Sequence, residues 1–429
     1  MRGSVAGALL LCTTAVLAAP AALAAETVPP YAPAPDARSV PGGASTTSAA
    51  SLELGATYTS SLPGGGARVA YSLGLDAASD AYVSVTAIPA SSSTVKASDG
   101  IKVSVEGPDG RSCSFDTETF GTVRSPRPIA AWGAREHSAH GPRCKGAGTY
   151  YVIVERVGPS AAAPDAWDLE LFTASEPPLE QAGATSGPAP WNSASPAPLA
   201  GDGVRRTGGA GFASAASVGQ GVWSAAIEPG RTLFYKVPLG WGRQLYATAE
   251  LGSASGEKGY TSGALDLSLY NPVRDLVDDA SASYDGGPTA AALDPLPPVA
   301  YENRYAIPSR HKSVRFAGSY YLVVHLAADV AEKYGDGPFE VKLRIRVGGE
   351  AQAGPGYAGE SKPSRVFEVA SGEDAAAVVG GIGGAGGDGD GDGDTAMTVL
   401  AVSGIGAGTV VLVVLGVWVV VARRRAGLE

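Results

Sequence analysis

From about Ser51 onward the chain reads as short runs in which apolar and polar positions alternate, broken by Gly, Pro, Asp and Ser. A period of two places successive side chains on opposite faces, so such runs predict antiparallel strands with one buried side. Arg68–Leu73, Ala81–Ala87 and Ile101–Val105 come first, the last ending in a Pro108-Asp109-Gly110 turn; Thr149–Val154 and Trp167–Phe172 follow. No stretch of ten residues in this region has a helical period. The same series then recurs as Thr232–Val237, Gln244–Ala249, Leu265–Tyr270, Ser319–Val324 and Phe339–Ile345. Tyr71 and Tyr235 are 164 residues apart, as are Ser104 and Ser268, whereas Tyr150 and Tyr320 are 170 apart. An offset that drifts by six across a long loop is the mark of a duplication with one insertion. Alternation turns Val103 and Val105 inward against Lys102 and Ser104, and Val341, Leu343 and Ile345 inward against Lys342, Arg344 and Arg346. The predicted fold is all-β: two tandem jelly-roll-like β-sandwich domains, at 51–175 and 216–348, each large enough to sustain its own core.

The flanking segments have a different texture. Residues 26–50 are rich in Pro, Ala and Ser with few large apolar side chains, which predicts a disordered leader. Residues 176–215 are dense in Pro, Gly, Ala and Ser and predict a flexible linker. Residues 349–394 drift into Gly and Asp and predict a tether; within it Arg365–Val369 reads as a further short strand or a sticky peptide. Two apolar segments bracket everything. Met1–Ala25 has Arg2, an apolar run and a terminal Ala22-Leu23-Ala24, the pattern of a secretory signal peptide. A retained anchor is disfavoured by Pro20 and the short apolar core, and a lipoprotein reading through Cys12 by Leu11. Thr395–Ala422 carries no charged residue and is followed by Arg423-Arg424-Arg425, so it predicts one transmembrane helix with a cytoplasmic basic tail at 423–429. No Leu-Pro-x-Thr-Gly pentapeptide precedes it, which argues against covalent wall anchoring. The expected location is the cell membrane, single-pass, with the bulk of the chain outside.

Three features recur in both copies: an aromatic-x-Val/Leu strand after a Gly-rich turn (Gly64–Leu73; Gly230–Val237), a central strand ended by a proline turn (Val103–Pro108; Leu267–Pro272), and a late Gly-x-Tyr-Tyr-x-x-Val strand (Gly148–Val154; Gly318–Val324). In these the chain resembles the bacterial pre-peptidase C-terminal domain, a β-sandwich often appended to secreted hydrolases. The resemblance covers about three fifths of the chain. It implies a sandwich that accompanies a catalytic domain, and no catalytic domain accompanies it here. The layout also resembles actinobacterial surface proteins with Arg-rich tails.

Without the two bracketing segments, 28 basic and 41 acidic residues remain, a net charge of −13. An acidic surface repels phosphate backbones, so nucleic acid is excluded as a partner. Cys113 and Cys144 remain after signal removal and, in an oxidising compartment, predict one disulfide. A zinc site would need His137 and His140 as further ligands and lacks the close cysteine spacing of such sites.

Little else points to chemistry. There is no Gly-x-Ser-x-Gly elbow, and no Ser, His and Asp trio stands out around His137, His140, His311 and His325. His325 reads as an ordinary strand residue. Asp388, Asp390, Asp392 and Asp394 resemble the opening of a calcium loop but lack its bidentate glutamate. Asp275, Asp278 and Asp279 form a second acidic cluster, in a loop. These seven are weak calcium candidates, and no other cofactor is expected. Gly404 and Gly408 form a Gly-x-x-x-Gly pair that suits homodimerisation through the transmembrane helix. The longest loops, Phe115–Arg143 and Val273–Arg315, are the expected recognition surfaces, with Tyr284, Tyr301, Tyr305 and His311 placed to meet a glycan or a peptide. The functional expectation is a non-enzymatic surface protein presenting two modules to wall polymer, glycan or a protein partner. An accessory subunit of an envelope or secretion complex is the alternative, and a cryptic extracellular hydrolase a third reading.

Overall fold

All ten predicted runs become strands, and ten more join them. The computed structural model describes residues 30–137, 144–183, 185–197, 199–255 and 259–379. The first copy runs β1 (Arg38–Ser39), β2 (Ala50–Leu52), β3 (Thr57–Leu62), β4 (Arg68–Leu75), β5 (Asp80–Ile88), β6 (Gly100–Glu106), β7 (Ser112–Thr119), β8 (Ile129–Arg135), β9 (Gly148–Val157) and β10 (Trp167–Glu176). The second runs β11 (Val204–Arg205), β12 (Ala216–Ser217), β13 (Gly221–Ile227), β14 (Thr232–Leu239), β15 (Gln244–Leu251), β16 (Thr261–Tyr270), β17 (Leu276–Tyr284), β18 (Thr289–Ala292), β19 (Gly318–Leu326) and β20 (Phe339–Gly348).

These strands form four five-stranded sheets. Sheet I has the order β2-β4-β9-β6-β7 and sheet II β1-β3-β10-β5-β8; sheets III (β12-β14-β19-β16-β17) and IV (β11-β13-β20-β15-β18) repeat those orders with every strand advanced by ten. Register repeats as well: Tyr71 faces Val152 as Tyr235 faces Leu322, and Leu171 faces Val85 as Leu343 faces Ala249. The chain is thus a tandem pair of β-sandwich modules. Sheets I and II enclose one core, around Tyr71, Val85, Val103, Val154 and Trp167, and sheets III and IV another, around Trp223, Tyr235, Leu267, Leu322 and Ile345.

The two modules are not beads on a string. In sheet II the alternation fails: Tyr82, Ser84 and Thr86 point away from their own core yet are as buried as Val83 and Val85. The same holds in sheet III for Asp266, Ser268 and Tyr270. Sheet II packs face to face on sheet III, so the layers stack I, II, III, IV. Only the outermost sheets keep one wet side, and Lys342, Arg344 and Arg346 alternate there as expected.

Three expectations need correction. The segment expected as a disordered leader contributes β1 and the first residue of β2, with Ala34 and Val40 buried. The expected flexible linker supplies β11, buries Phe212 and Ala215, and runs straight into β12. Each segment is the opening part of its module: Gly43 bridges Ala70 as Gly209 bridges Phe234. The juxtamembrane tether is fold as far as residue 379. Ser175 and Lys362 exchange backbone hydrogen bonds at 2.7 and 3.0 Å, Phe367 is buried, and the helix Ser371–Val379 is held by Arg243 on Asp374 at 2.6 Å. The predicted signal peptide and transmembrane helix, with Gly404 and Gly408, lie outside the described residues. Among the described residues no helix is long and apolar enough to cross a membrane.

Candidate functional site at the junction of the modules

The junction is built from side chains that strand alternation sends outward. Two aromatic clusters close it. Tyr82, Trp132 and Phe172 of the first module meet Phe316 of the second and Phe367 of the C-terminal arm, whose ring stacks on Phe316 at 4.9 Å. Phe212, Phe234, Tyr270 and Tyr321 form the other cluster with Ala130 and Tyr31. Between them Arg274 crosses from the second module to Glu170 of the first at 2.5 Å, its guanidinium lying over the rings of Phe172 and Phe212 at 4.6 and 4.7 Å. A charge so deeply buried is tolerable only when paired.

A third contact wedges the 120–128 segment of the first module into the second. Val123 joins the second module's core, and Ser125 Oγ accepts the Ala328 backbone N–H at 3.0 Å. Gly263, at φ +58°, permits the approach, because a Cβ there would lie 2.8 Å from the Thr122 carbonyl oxygen. Arg127 donates to the Phe120 and Val123 carbonyls at 3.0 Å and lies 3.7 Å from Asp266. Around it burial raises the carboxyls of Asp116 and Asp266 above their usual range and pushes Glu118 up to about 8, against the pull of Arg127.

One cleft of about 580 Å³ opens between the modules. Its first-module wall carries Asp80, Glu136, His137 and Glu176, and its second-module wall carries Tyr301, Arg304, Tyr305, Lys312 and Arg315. Pro177, Pro178 and Leu179 form an apolar side. The 3₁₀ turn Tyr301–Tyr305 and α1 (Ser309–Lys312) present the second wall, and Asn303 fixes the turn by donating to the Pro298 and Val314 carbonyls. Arg304 binds Glu176 at 2.7 Å, lies 3.8 Å from Asp80 and stacks on Tyr301 at 3.5 Å. Burial alone would depress this guanidinium's pKa, but Glu176 and its neighbours outweigh it and the pKa is raised. Glu176 also accepts hydrogen bonds from Tyr82 and Tyr357 at 2.6 and 2.8 Å. Arg315 pairs with Glu136, and His137 Nδ1 sits 3.0 Å from Asp80.

The residues singled out from sequence fall as follows. Cys113 and Cys144 form the predicted disulfide. Asp275, Asp278 and Asp279 are not brought together. Asp275 is buried beside Asn271, its carboxyl pushed up to about 7 by burial, whereas Asp278 and Asp279 are successive residues of β17 and point to opposite faces. The expected loop holds Asp275, whereas Asp278 and Asp279 stand on a strand. Asp388, Asp390, Asp392, Asp394 and His140 lie outside the described residues. Among the described residues no group of three or more His, Cys, Asp or Glu side chains has metal-holding geometry. Tyr284 is fully buried, donating to the Gly252 carbonyl at 2.7 Å, so it is unavailable to a ligand; Tyr301 and Tyr305 line the cleft. His311 packs edge-on against Trp191. Each span expected as a long loop is structured in part, since the first holds the end of β7 and all of β8 and the second holds β17, β18 and α1.

Among the described residues His325 accounts for the arrangement that looks catalytic. Its Nδ1 lies 2.9 Å from Thr232 Oγ1, and Asp266 is its register partner on the neighbouring strand. All three side chains are buried against the 120–128 wedge, and burial pulls the imidazole down to about 3, so it is neutral at physiological pH. No substrate reaches it there. Sequence reasoning missed Arg304, Arg315, Glu176, Glu170 and Arg274. The available signal was the bulky aromatic character of outward positions such as Tyr82, Trp132, Phe172 and Tyr270, where a wet face would carry polar residues.

No family model matches the chain, and no curated protein matches it. Solved structures that it is similar to include the N-terminal CBM22-1–CBM22-2 tandem domain from Paenibacillus barcinonensis Xyn10C, at 9% identity over 67% of this chain and 84% of that one, with a TM-score of 0.18. Tandem CBM51 modules of a family 98 glycoside hydrolase from Streptococcus pneumoniae align at 9% identity over 66% and 81%, TM-score 0.19. The CUB1-EGF-CUB2 domain of human MASP-1/3 aligns at 9% over 67% and 99%, TM-score 0.16. Superpositions this loose carry no argument about function. The class that the coordinates define is a tandem β-sandwich protein whose modules share one buried junction.

Proposed function

We propose that the chain is a non-catalytic surface protein, exported by its N-terminal segment and held in the membrane by Thr395–Ala422, whose fused modules bind a ligand of the cell envelope in the junction cleft. The observation that carries this reading is the cleft itself: a cavity within the size range of small-ligand sites, walled by both modules and held by buried ion pairs that keep its shape fixed. The strand motifs that resemble the pre-peptidase C-terminal domain fit an accessory rather than a catalytic role. The apolar tail and its arginine triplet support the location.

The test is co-sedimentation of the detergent-solubilised full-length chain with purified wall material. Retention is expected, and it should weaken at least tenfold in Tyr305→Ala, whose ring lines the cleft. Undiminished retention of that variant would move the site elsewhere. Recovery of one stoichiometric membrane protein after crosslinking, with no wall retention, would favour the accessory-subunit reading.

A further inference from the structure

Charge pairing in the cleft narrows the ligand, given the cleft reading above. Each carboxylate lining it is already engaged: Glu176 and Asp80 by Arg304, Asp80 also by the His137 backbone N–H, and Glu136 by Arg315. Among the described residues Lys312 makes no ion pair, and its side chain is exposed at the cleft wall, three residues before Arg315. Arg315 is itself nine-tenths buried over the ring of Phe316 and bonds Glu136 through one terminal nitrogen alone, with no further hydrogen-bond acceptor among the described residues. Three carboxylates thus face three side-chain cations, and because Arg304 alone serves both Glu176 and Asp80, the Lys312 ammonium is the cation left unpaired among the described residues.

The body of the ligand follows from what the walls offer. A peptide recognised by strand addition needs a free backbone edge. The edge bordering this cleft is already occupied by the C-terminal arm: Ala358 N–H donates to the Pro178 carbonyl and Glu180 N–H to the Gly356 carbonyl, at 2.8 and 3.0 Å. What remains free are the Tyr301 and Tyr305 hydroxyls, the outer lone pairs of Asp80 and Glu136, and an apolar proline wall. Such a set of short-range donors and acceptors suits a body bearing many hydroxyls.

We infer that the cleft binds a carboxylate-bearing saccharide, with its acidic group held by Lys312 and Arg315. The test is calorimetric titration of the full-length chain in detergent with trigalacturonic acid, its carboxyl-reduced neutral counterpart, and triglutamate. The acidic sugar should bind at least tenfold more tightly than the neutral one. That preference should vanish in Lys312→Gln, return in Lys312→Arg, and shrink with added salt. Equal affinity for the two sugars would overturn the inference and leave the cleft reading standing, as would a preference unchanged in Lys312→Gln. Tighter binding of triglutamate would replace the saccharide by an acidic peptide, and binding of none of the three would overturn both readings.

Discussion

Removing either partner of the Arg274–Glu170 pair should uncouple the modules. The side chains are 6% and 1% exposed, and Glu170 also accepts the Ala34 backbone N–H at 2.8 Å. In Arg274→Met the carboxylate keeps that bond but loses its counter-charge, and in Glu170→Gln the guanidinium keeps a neutral amide acceptor and its two aromatic neighbours but loses its counter-charge. Breaking a buried pair from one side costs about 3–5 kcal/mol, because the charge left behind is uncompensated. Domains of ordinary size are stable by about 5–15 kcal/mol, so the loss is a large fraction of the whole. The double variant Glu170→Leu/Arg274→Met, which removes both charges and keeps bulk, should recover most of it. Urea unfolding followed in parallel by tryptophan fluorescence and far-ultraviolet circular dichroism reads this directly. The parent should show one transition, and each single variant an earlier, broader or split one. A loss below about 1 kcal/mol in both single variants, or two separate transitions in the parent, would refute a junction held by this pair.

Three further outcomes follow. Phe367→Ala removes a ring buried between Phe316 and Tyr82 and should cost about 3–5 kcal/mol, with amide exchange across residues 357–368 accelerating more than in either core. Glu118 has a folded pKa pushed up from 4.5 to about 8, so the folded state holds a proton that the unfolded chain releases; its contribution is fullest below about pH 4.5 and is lost as pH rises toward 8, by at most about 1.4 kcal/mol per unit. Glu118→Gln should flatten that part of the stability profile, and an unchanged slope would count against the buried position. Replacing both Cys113 and Cys144 by Ala reopens a closure spanning 31 residues and should lower stability by about 3–4 kcal/mol, read as an earlier urea midpoint.

How much of this was legible in the sequence depended on where each strand lies in the stack. Val103 and Val105 against Lys102, and Val341, Leu343 and Ile345 against Lys342 and Arg344, obey alternation because sheets I and IV face water. In sheets II and III the outward positions face another sheet, so Ser84 and Thr86 read as a wet face although they are buried, and only the neighbouring Tyr82 signals otherwise. The opening strands of each module were missed for a different reason. They are two or three residues long and sit in Pro, Ala and Ser-rich sequence whose order comes from pairing with β3, β4, β13 and β14 rather than from local propensity. The Gly-Gly-Ala triplets at 42–44 and 208–210, 166 residues apart, were the trace of this earlier start to the repeat. Of the cleft only Tyr301 and Tyr305 were legible, since its walls come from separate stretches near residues 80, 136, 176–185 and 301–315.

Duplication creates a hazard that the divergence of the two copies resolves. If sheet II of one module accepts sheet III of the next, equivalent sheets in identical copies would go on accepting partners, and a contact of that kind that does not close leads to fibres. The outer faces have diverged to prevent it. Tyr82, Phe172 and Ala174, buried at the junction, correspond to Tyr246, Arg344 and Arg346 on sheet IV; Phe234 and Tyr270 on sheet III correspond to Ala70 and Glu106 on sheet I. Guanidiniums stand on one free end where the junction has Phe and Ala, and a carboxylate on the other where it has Tyr. The sheet IV face is further crossed by the chain before β11, with Gln244 donating to the Asn192 carbonyl at 3.1 Å and Arg346 to the Ala197 carbonyl at 2.9 Å. The segment that reads as a linker therefore acts as a cap, and the stack stops at four sheets because its two ends are polar and one of them is already covered.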